Sequence, residues 1–492
     1  MKKQLVFFLG ILFSTHIHAK REVFAHSFMY TKPGYYDIVM EQALWHDIEF
    51  NKKGSIRGGL QAIPFFQQST PLDKNARYFL MKGKTELLVA GDNTPEKSFR
   101  DIRAEWVNLP SNFVGTLSLN PKQQQRGCLL EYHQDLLNWF DVRFLRDMYI
   151  MILLPIEEVK NQINLRQTNV SNPAETFPHD ILQAFNQPSW CFSRIDNCQE
   201  RKIGVAELTV KLGTSYISED YFQLNYYTVL AIPTGNKQNG KTMFEPVNGN
   251  NHHLGIGAGI ILQAPLNRDT TDFAWCGFIE LESVILIRNK QWRTYDLFDK
   301  PWSRFLLMNV VGTPEPTSNQ PGVNYMTQRI TAKPFNIVDF AVGWRLHTAT
   351  MEAEIGYGIW GHSTERTNLK QPSPVQIVGQ VLPNGTTVPV ATTQKIAFGI
   401  AGSAPGKTAS RSTIAFQAPD DLEFVPIQTA DLDRQSGESF GGFTQRALAS
   451  IGWINKGTTI DTILGLGGSV DVPFHNSLLQ LWKIWIKLAA TF

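Results

Sequence analysis

The chain ends L-L-Q-L-W-K-I-W-I-K-L-A-A-T-F, Leu478 to Phe492. The even positions of this stretch are Leu478, Gln480, Trp482, Ile484, Ile486, Leu488, Ala490 and Phe492, and its odd positions include Lys483 and Lys487. Side chains on a strand alternate between faces with period two, so the stretch reads as a β-strand with one apolar and one cationic face. Soluble domains usually end in a frayed polar tail. A terminus that is itself an amphipathic strand needs a partner strand and an apolar surrounding.

The same alternation recurs upstream. Phe335 to His347 places Asn336, Val338, Phe340, Val342, Trp344 and Leu346 on one face, and Ile337, Asp339, Ala341, Gly343, Arg345 and His347 on the other. Thr350 to Trp360 sets Met351, Ala353, Ile355, Tyr357 and Ile359 against Thr350, Glu352, Glu354, Gly356 and Gly358. A tight turn at Thr348-Ala349 would put Arg345 opposite Glu352, and a slip of two residues would keep every face. Stretches 222–232, 254–263, 273–288 and 460–472 behave alike. Several are longer than the about 5–6 residues of ordinary strands. Trp275, Trp292, Trp360, Trp453 and Trp482 fall near strand ends, where a membrane interface places aromatics.

The N-terminus supplies the compartment. Met1-Lys2-Lys3 and the apolar run Gln4 to Phe13 read as a secretory signal peptide over residues 1–19. No later apolar run reaches the roughly 18 residues a membrane helix needs. The chain is 492 residues long, 42% hydrophobic and 18% charged, with a formal charge of +2 of which Lys2 and Lys3 carry both units. A mature chain so close to neutral has no global field for nucleic acid. The fold class expected is all-β: a transmembrane antiparallel barrel of about 14 strands, with 12–18 allowed, and long extracellular loops.

With leader, alternation and terminus in place, the chain resembles bacterial outer-membrane β-barrel proteins, in the porin-like manner. The resemblance implies the outer membrane of a Gram-negative-type bacterium, lipid contact on the apolar face and closure of the last strand on the first. It also implies that the barrel-assembly machinery reads the final strand, here Trp482, Ile484, Ile486, Leu488 and Phe492. A second, shorter resemblance lies in Tyr221 to Ile260. There a strand ending I-P-T-G, a loop and the Gly-rich H-H-L-G-I-G-A-G-I look like the outer-membrane transporters of fatty acids and aromatic compounds.

Along the chain, residues 20–42 form an N-terminal segment, periplasmic or plugging. Residues 43–492 form the barrel, and 162–202 interrupt it as a surface loop or a plug. Within that insert Cys191 and Cys198 enclose a short stretch that a disulfide could close. Other long loops run over 364–394 and 418–442.

Charged side chains on the polar faces are the candidate pore lining: Glu207, Lys211, Glu280, Glu282, Asp339, Arg345, Glu352, Glu354, Asp461, Lys483 and Lys487. Rings of opposed charge select small solutes by size and sign; mutual neutralisation in a plugged lumen would use the same residues. The expected activity is passive diffusion or facilitated uptake of small solutes, hydrophobic ones included, with a closed surface-binding barrel as the alternative. Nothing points to an enzyme or a cofactor. A-G-S-A-P-G-K-T at 401–408 fits the phosphate-loop pattern but is followed by no helix. His252 and His253 have no Ser/acid set and no metal-ligand spacing around them. Oligomeric state leaves no signature.

Overall fold

In the computed structural model the described residues are 23–42, 58–136, 148–218, 222–266, 273–311, 317–334, 336–348, 350–369, 380–381, 387–388, 395–398, 412–417 and 429–492. The expected leader and the 401–408 motif lie outside them.

Twelve strands make the wall: β1 Gly58–Ser69, β2 Lys122–Asp135, β3 Met148–Gln162, β4 Glu207–Ser218, β5 Phe222–Pro233, β6 Gly255–Pro265, β7 Phe273–Leu286, β8 Asn336–Thr348, β9 Met351–His362, β10 Gly442–Asn455, β11 Asp461–Pro473 and β12 Leu481–Thr491. Each pairs antiparallel with its neighbour, and β12 returns to β1 from Gly59↔Thr491 to Ser69↔Leu481, so the sheet closes. At the seam Phe492 and Gly58 exchange backbone hydrogen bonds of 3.0 Å each. Closure leaves no unpaired edge, the condition for a sheet in an apolar medium. One further strand, Glu200–Val205, extends the wall by pairing with the end of β3.

The pleat sorts the side chains as the alternation predicts. On β12, Ile484, Ile486 and Leu488 are half-exposed outward, and Lys483, Trp485 and Lys487 are buried inward. Ile355 and Trp344 are about 60% exposed. A wall greasy outside and charged inside is inverted relative to a soluble core, so its outer face fits lipid. Trp275, Trp344 and Trp453 lie outward near the short-turn end of β7, β8 and β10. Two expected girdle residues are elsewhere: Trp360 is fully buried inside the barrel, and Trp292 lies on a strand outside the wall, stacked on Phe192.

The wall has twelve strands, at the low end of the expected range. Other short strands alternate too, but 114–118 pairs with 86–90, and 289–294 with 327–333, beyond one rim. They are too short to cross a bilayer, which takes about 9–11 residues. The connections β4–β5, β8–β9 and β10–β11 at one rim are short; at the other, 70–121, 163–206, 234–254 and the described parts of 287–334 and 363–441 build a cap. The cap has a core of its own, with Tyr78, Phe79, Trp106, Phe113, Phe185, Trp190, Trp302 and Phe305 in one buried cluster.

The β8–β9 hairpin differs from the expected register by two residues. Arg345 stands opposite Glu354, and His347 opposite Glu352. The Thr348 hydroxyl closes the turn, donating to the Met351 carbonyl at 3.1 Å and accepting the Met351 N–H at 2.9 Å. A side chain thus does what Thr-Ala could not do in a tight two-residue turn.

Candidate functional site

The lumen holds the chain's own N-terminal segment. Residues 23–27 are tied to the cap: Ala25 and His26 donate backbone N–H to Leu80 and Tyr78, and Val23 exchanges hydrogen bonds with Asn476. From Phe28 the segment descends into the barrel and ends in a short helix, α1, Ile38–Gln42. Gln61, the fourth of the twelve residues of β1, donates to the Glu41 carbonyl at 3.2 Å, so α1 sits inside the wall. The described part of the segment therefore runs from the cap inward along the lumen.

Apolar packing and charge hold it there. Phe28, Tyr30, Tyr35, Tyr36 and Met40 join a buried cluster with wall residues such as Phe65 and Trp485, and Ile38 and Val39 pack on Phe278 and Leu448. Ion pairs fix the register. Asp37 faces Arg446 at 3.0 Å, Lys483 at 3.1 Å and Lys32 at 3.8 Å. Lys32 in turn contacts Asp471 at 3.0 Å, and Arg446 contacts Asp339 at 2.6 Å. Three cations and three carboxylates balance, all nearly inaccessible, with the segment giving Lys32 and Asp37 and the wall giving the rest. Lys32 also lies over the Trp360 ring, 5.8 Å from its centroid.

A second cluster surrounds Glu41. Its carboxylate pairs with Lys211, which also contacts Glu282 at 2.8 Å, and the Lys487 ammonium donates to the Glu41 carbonyl at 2.7 Å. Tyr227 donates to Glu282 at 3.0 Å. Nearer the cap, Tyr30 donates to Asn250 at 2.5 Å and Asn250 to Glu207 at 2.9 Å. A third cluster belongs to the wall alone: Arg345 reaches Glu354 at 2.6 Å, Glu352 at 3.2 Å and Glu280 at 3.7 Å.

The wall makes room for these contacts by placing glycines opposite inward aromatics. A Cβ at Gly467 would stand 2.3 Å from the Trp485 ring on β12, and one at Gly259 would stand 2.2 Å from the Tyr227 ring on β5. Around the segment lie two small cavities. One of about 20 Å³ is bounded by Tyr30, Gln125 and Glu245, the other of about 10 Å³ by Tyr35, Glu41 and Lys211. Each is about the size of one water.

Of the candidate pore-lining residues, Glu207, Lys211, Glu280, Glu282, Asp339, Arg345, Glu352, Glu354, Lys483 and Lys487 are buried in the interior, engaged in these clusters. Asp461 departs from the expectation. It begins β11 at the short-turn rim, half-buried, and accepts the Gly457 N–H at 3.0 Å, so it caps a turn. Cys191 and Cys198 are free and exposed, so the disulfide the spacing allowed is not formed in this structure. Residues 163–202 belong to the cap, where Ile181, Phe185, Trp190 and Ile195 join its core, while 28–42 occupies the lumen. His252 and His253 donate to the backbone carbonyls of Gly235 and Ile287, loop contacts that hold 234–254 in place.

Lys32, Asp37, Glu41, Arg446 and Asp471 were not singled out as site residues from the sequence. Arg446 and Asp471 do occupy inward positions of alternating strands, and the i, i+4 spacing of Asp37 and Glu41 in an otherwise apolar stretch was the available signal for the segment.

The fold and this interior define a transmembrane-type β-barrel closed by its own N-terminal segment. No protein-family model matches the chain, and no curated protein sequence does. Among solved structures, the chain is similar to an outer membrane channel from Pseudomonas putida F1, at 9% identity and a TM-score of 0.35, covering 94% of this chain and 100% of that one. It is similar to a FadL homologue of Pseudomonas aeruginosa at 8% identity and a TM-score of 0.30, covering 96% and 99%. The translocator domain of the autotransporter NalP from Neisseria meningitidis matches at 8% and 0.28, covering 92% and 95%. Superpositions this loose say nothing of function, and the class of the fold rests on the closed strand ladder.

Proposed function

We propose that the protein is an outer-membrane channel for small solutes that rests closed and conducts when the N-terminal segment moves. The supporting observation is the chemistry of the closure. Besides its apolar packing, the segment is tied across the lumen by ion pairs between its own Lys32, Asp37 and Glu41 and the wall. Water entering the lumen would solvate those wall charges, so the segment's departure would not leave them buried and unpaired. Transport is diffusive on this reading, with no chemical step. The solutes are small, and hydrophobic ones are included through the shorter of the two resemblances.

Single-channel recording of the refolded protein tests this, comparing the intact chain with one lacking residues 23–42. The intact chain should open rarely and the truncated one should give stable ohmic steps. Stable large steps from the intact chain would overturn the resting-closed state. Silence from both folded proteins would favour a second reading, a surface-binding barrel. The cap, with its separate buried core, supports that one.

A further inference from the structure

The outer wall carries charge in one place. Among the described outward-facing residues of the twelve strands, the ionisable lysines, arginines and carboxylates are Lys122 and Arg126 on β2 and Glu158 and Lys160 on β3. Arg201, on the added strand Glu200–Val205, stands beside them. All lie toward the cap.

The arrangement is built around Glu158. Arg126 is directly across the ladder from it and paired with it; Lys160 is 3.6 Å away and Arg201 3.4 Å. Three cations on one carboxylate leave about two positive charges uncancelled. Lys160 and Arg201 are also direct cross-strand partners, a like-charge placement that the single Glu158 carboxylate, shared with Arg126, offsets only in part. Arg126 and Arg201 are 59% and 68% exposed at their side chains, so their donors are open to a ligand from outside.

Height on the wall says which ligand. One pleat period below Arg126 and Glu158 lie Cys128 and Ile156, then Leu130 and Leu154, all facing outward. Two residues along a strand are about 6.7 Å, so the charged row sits one step above the apolar band. Phe66, the β1 partner of Arg126, packs against Trp482 at 5.3 Å, giving the same level an aromatic border. Ile203, opposite Glu158, is 73% exposed. Fixed guanidinium groups beside exposed apolar side chains at the edge of an apolar band match an amphiphile with an anionic head.

We propose that Arg126, Lys160 and Arg201 bind the phosphomonoester headgroup of a lipid in the leaflet on the cap side. The proposal rests on the barrel being embedded in a membrane, and the test separates the two. Full-length folded protein would first be floated with phosphatidylcholine vesicles. It would then be titrated in detergent with phosphatidic acid, phosphatidylcholine, phosphatidylglycerol and inorganic phosphate, read by mass spectrometry of the intact complex. Phosphatidic acid should bind at least tenfold tighter than phosphatidylcholine and phosphatidylglycerol. Each cation near an anionic surface is worth roughly fivefold, so R126Q/R201Q should lose about 25-fold, R126K/R201K only a few-fold, and R329Q on the exposed cap nothing. Unchanged phosphatidic acid binding by R126Q/R201Q would overturn the site. Equal binding of phosphatidylglycerol would overturn its phosphomonoester preference, and equal competition by inorganic phosphate its lipid source. Failure to float would sink the membrane reading itself, whatever the titrations show.

Discussion

Asp37→Asn tests the closed state with the least change of shape. In the intact protein the Asp37 carboxylate touches three cations and is essentially inaccessible. After substitution Arg446 keeps Asp339 at 2.6 Å and Lys32 keeps Asp471 at 3.0 Å. Lys483 loses the carboxylate to which it donates at 3.1 Å, and the new amide presents donors to a cationic pocket. Breaking a buried pair from one side costs about 3–5 kcal/mol. The partial compensation by Asp339 and Asp471 argues for the lower figure, about 3 kcal/mol. When the segment leaves, water reaches Lys483 and Arg446, so nearly all of that cost falls on the closed state. At about 1.4 kcal/mol per tenfold, the open-to-closed ratio should rise about a hundredfold. Because the pair is buried, raising the salt should change this little. The assay is open probability in single-channel records, with heat-resistant migration as the check that the barrel is folded. A folded Asp37→Asn barrel with the open probability of the intact chain would refute the idea that ion pairs hold the segment.

Other consequences follow from the cap and the wall. Trp302 is fully buried and donates its indole N–H to the Phe79 carbonyl at 2.8 Å, so Trp302→Ala should cost the cap about 3–5 kcal/mol; limited proteolysis should then cut the cap while the barrel resists. Deleting 163–202 removes Phe185 and Trp190 from the same core and should loosen the cap without raising conductance; a conducting deletion would show that the insert, too, blocks the lumen. Gly467→Val would drive a methyl-bearing carbon into the Trp485 ring and should lower barrel stability by about 1–3 kcal/mol, read as the unfolding midpoint in detergent.

His26, in the tie between segment and cap, makes a pH prediction. Burial pushes its pKa down to about 4, Arg304 adds to this, and the hydrogen bond donated to the Glu438 carbonyl opposes it. The folded state thus keeps His26 neutral where the unfolded chain, with the ordinary value of 6.5, takes up a proton. Its contribution is present above pH 6.5 and is lost as the pH falls toward 4. Glu245, raised to about 7 by burial, shifts stability the opposite way, but it is common to both proteins compared. The wild type should therefore lose ground to His26→Gln between pH 7 and pH 4.5 in thermal unfolding; parallel curves would refute the assignment.

The strand faces of this protein were legible in its sequence because the pleat is local. Whether Ile484 or Lys483 points outward depends only on alternation, and a two-residue slip between β8 and β9 changed partners without changing faces. The closing strand, the apolar exterior and the inward direction of ten of the eleven charged candidates were readable on that ground; Asp461, the first residue of β11, sits at the rim and accepts the Gly457 N–H instead. Which charges meet is a different kind of fact. Asp37 and Lys483 are 446 residues apart, and His26 and Glu438 are 412 apart. No periodicity carries information over such separations. The short strands of the cap alternate like those of the wall, and only pairing shows that they stop short of the bilayer. So the sequence by itself determined a barrel with its charges inside. The tertiary structure decided that residues 28–42 occupy the lumen, because twelve strands enclose a polar interior whose unpaired charges are satisfied by Lys32, Asp37 and Glu41.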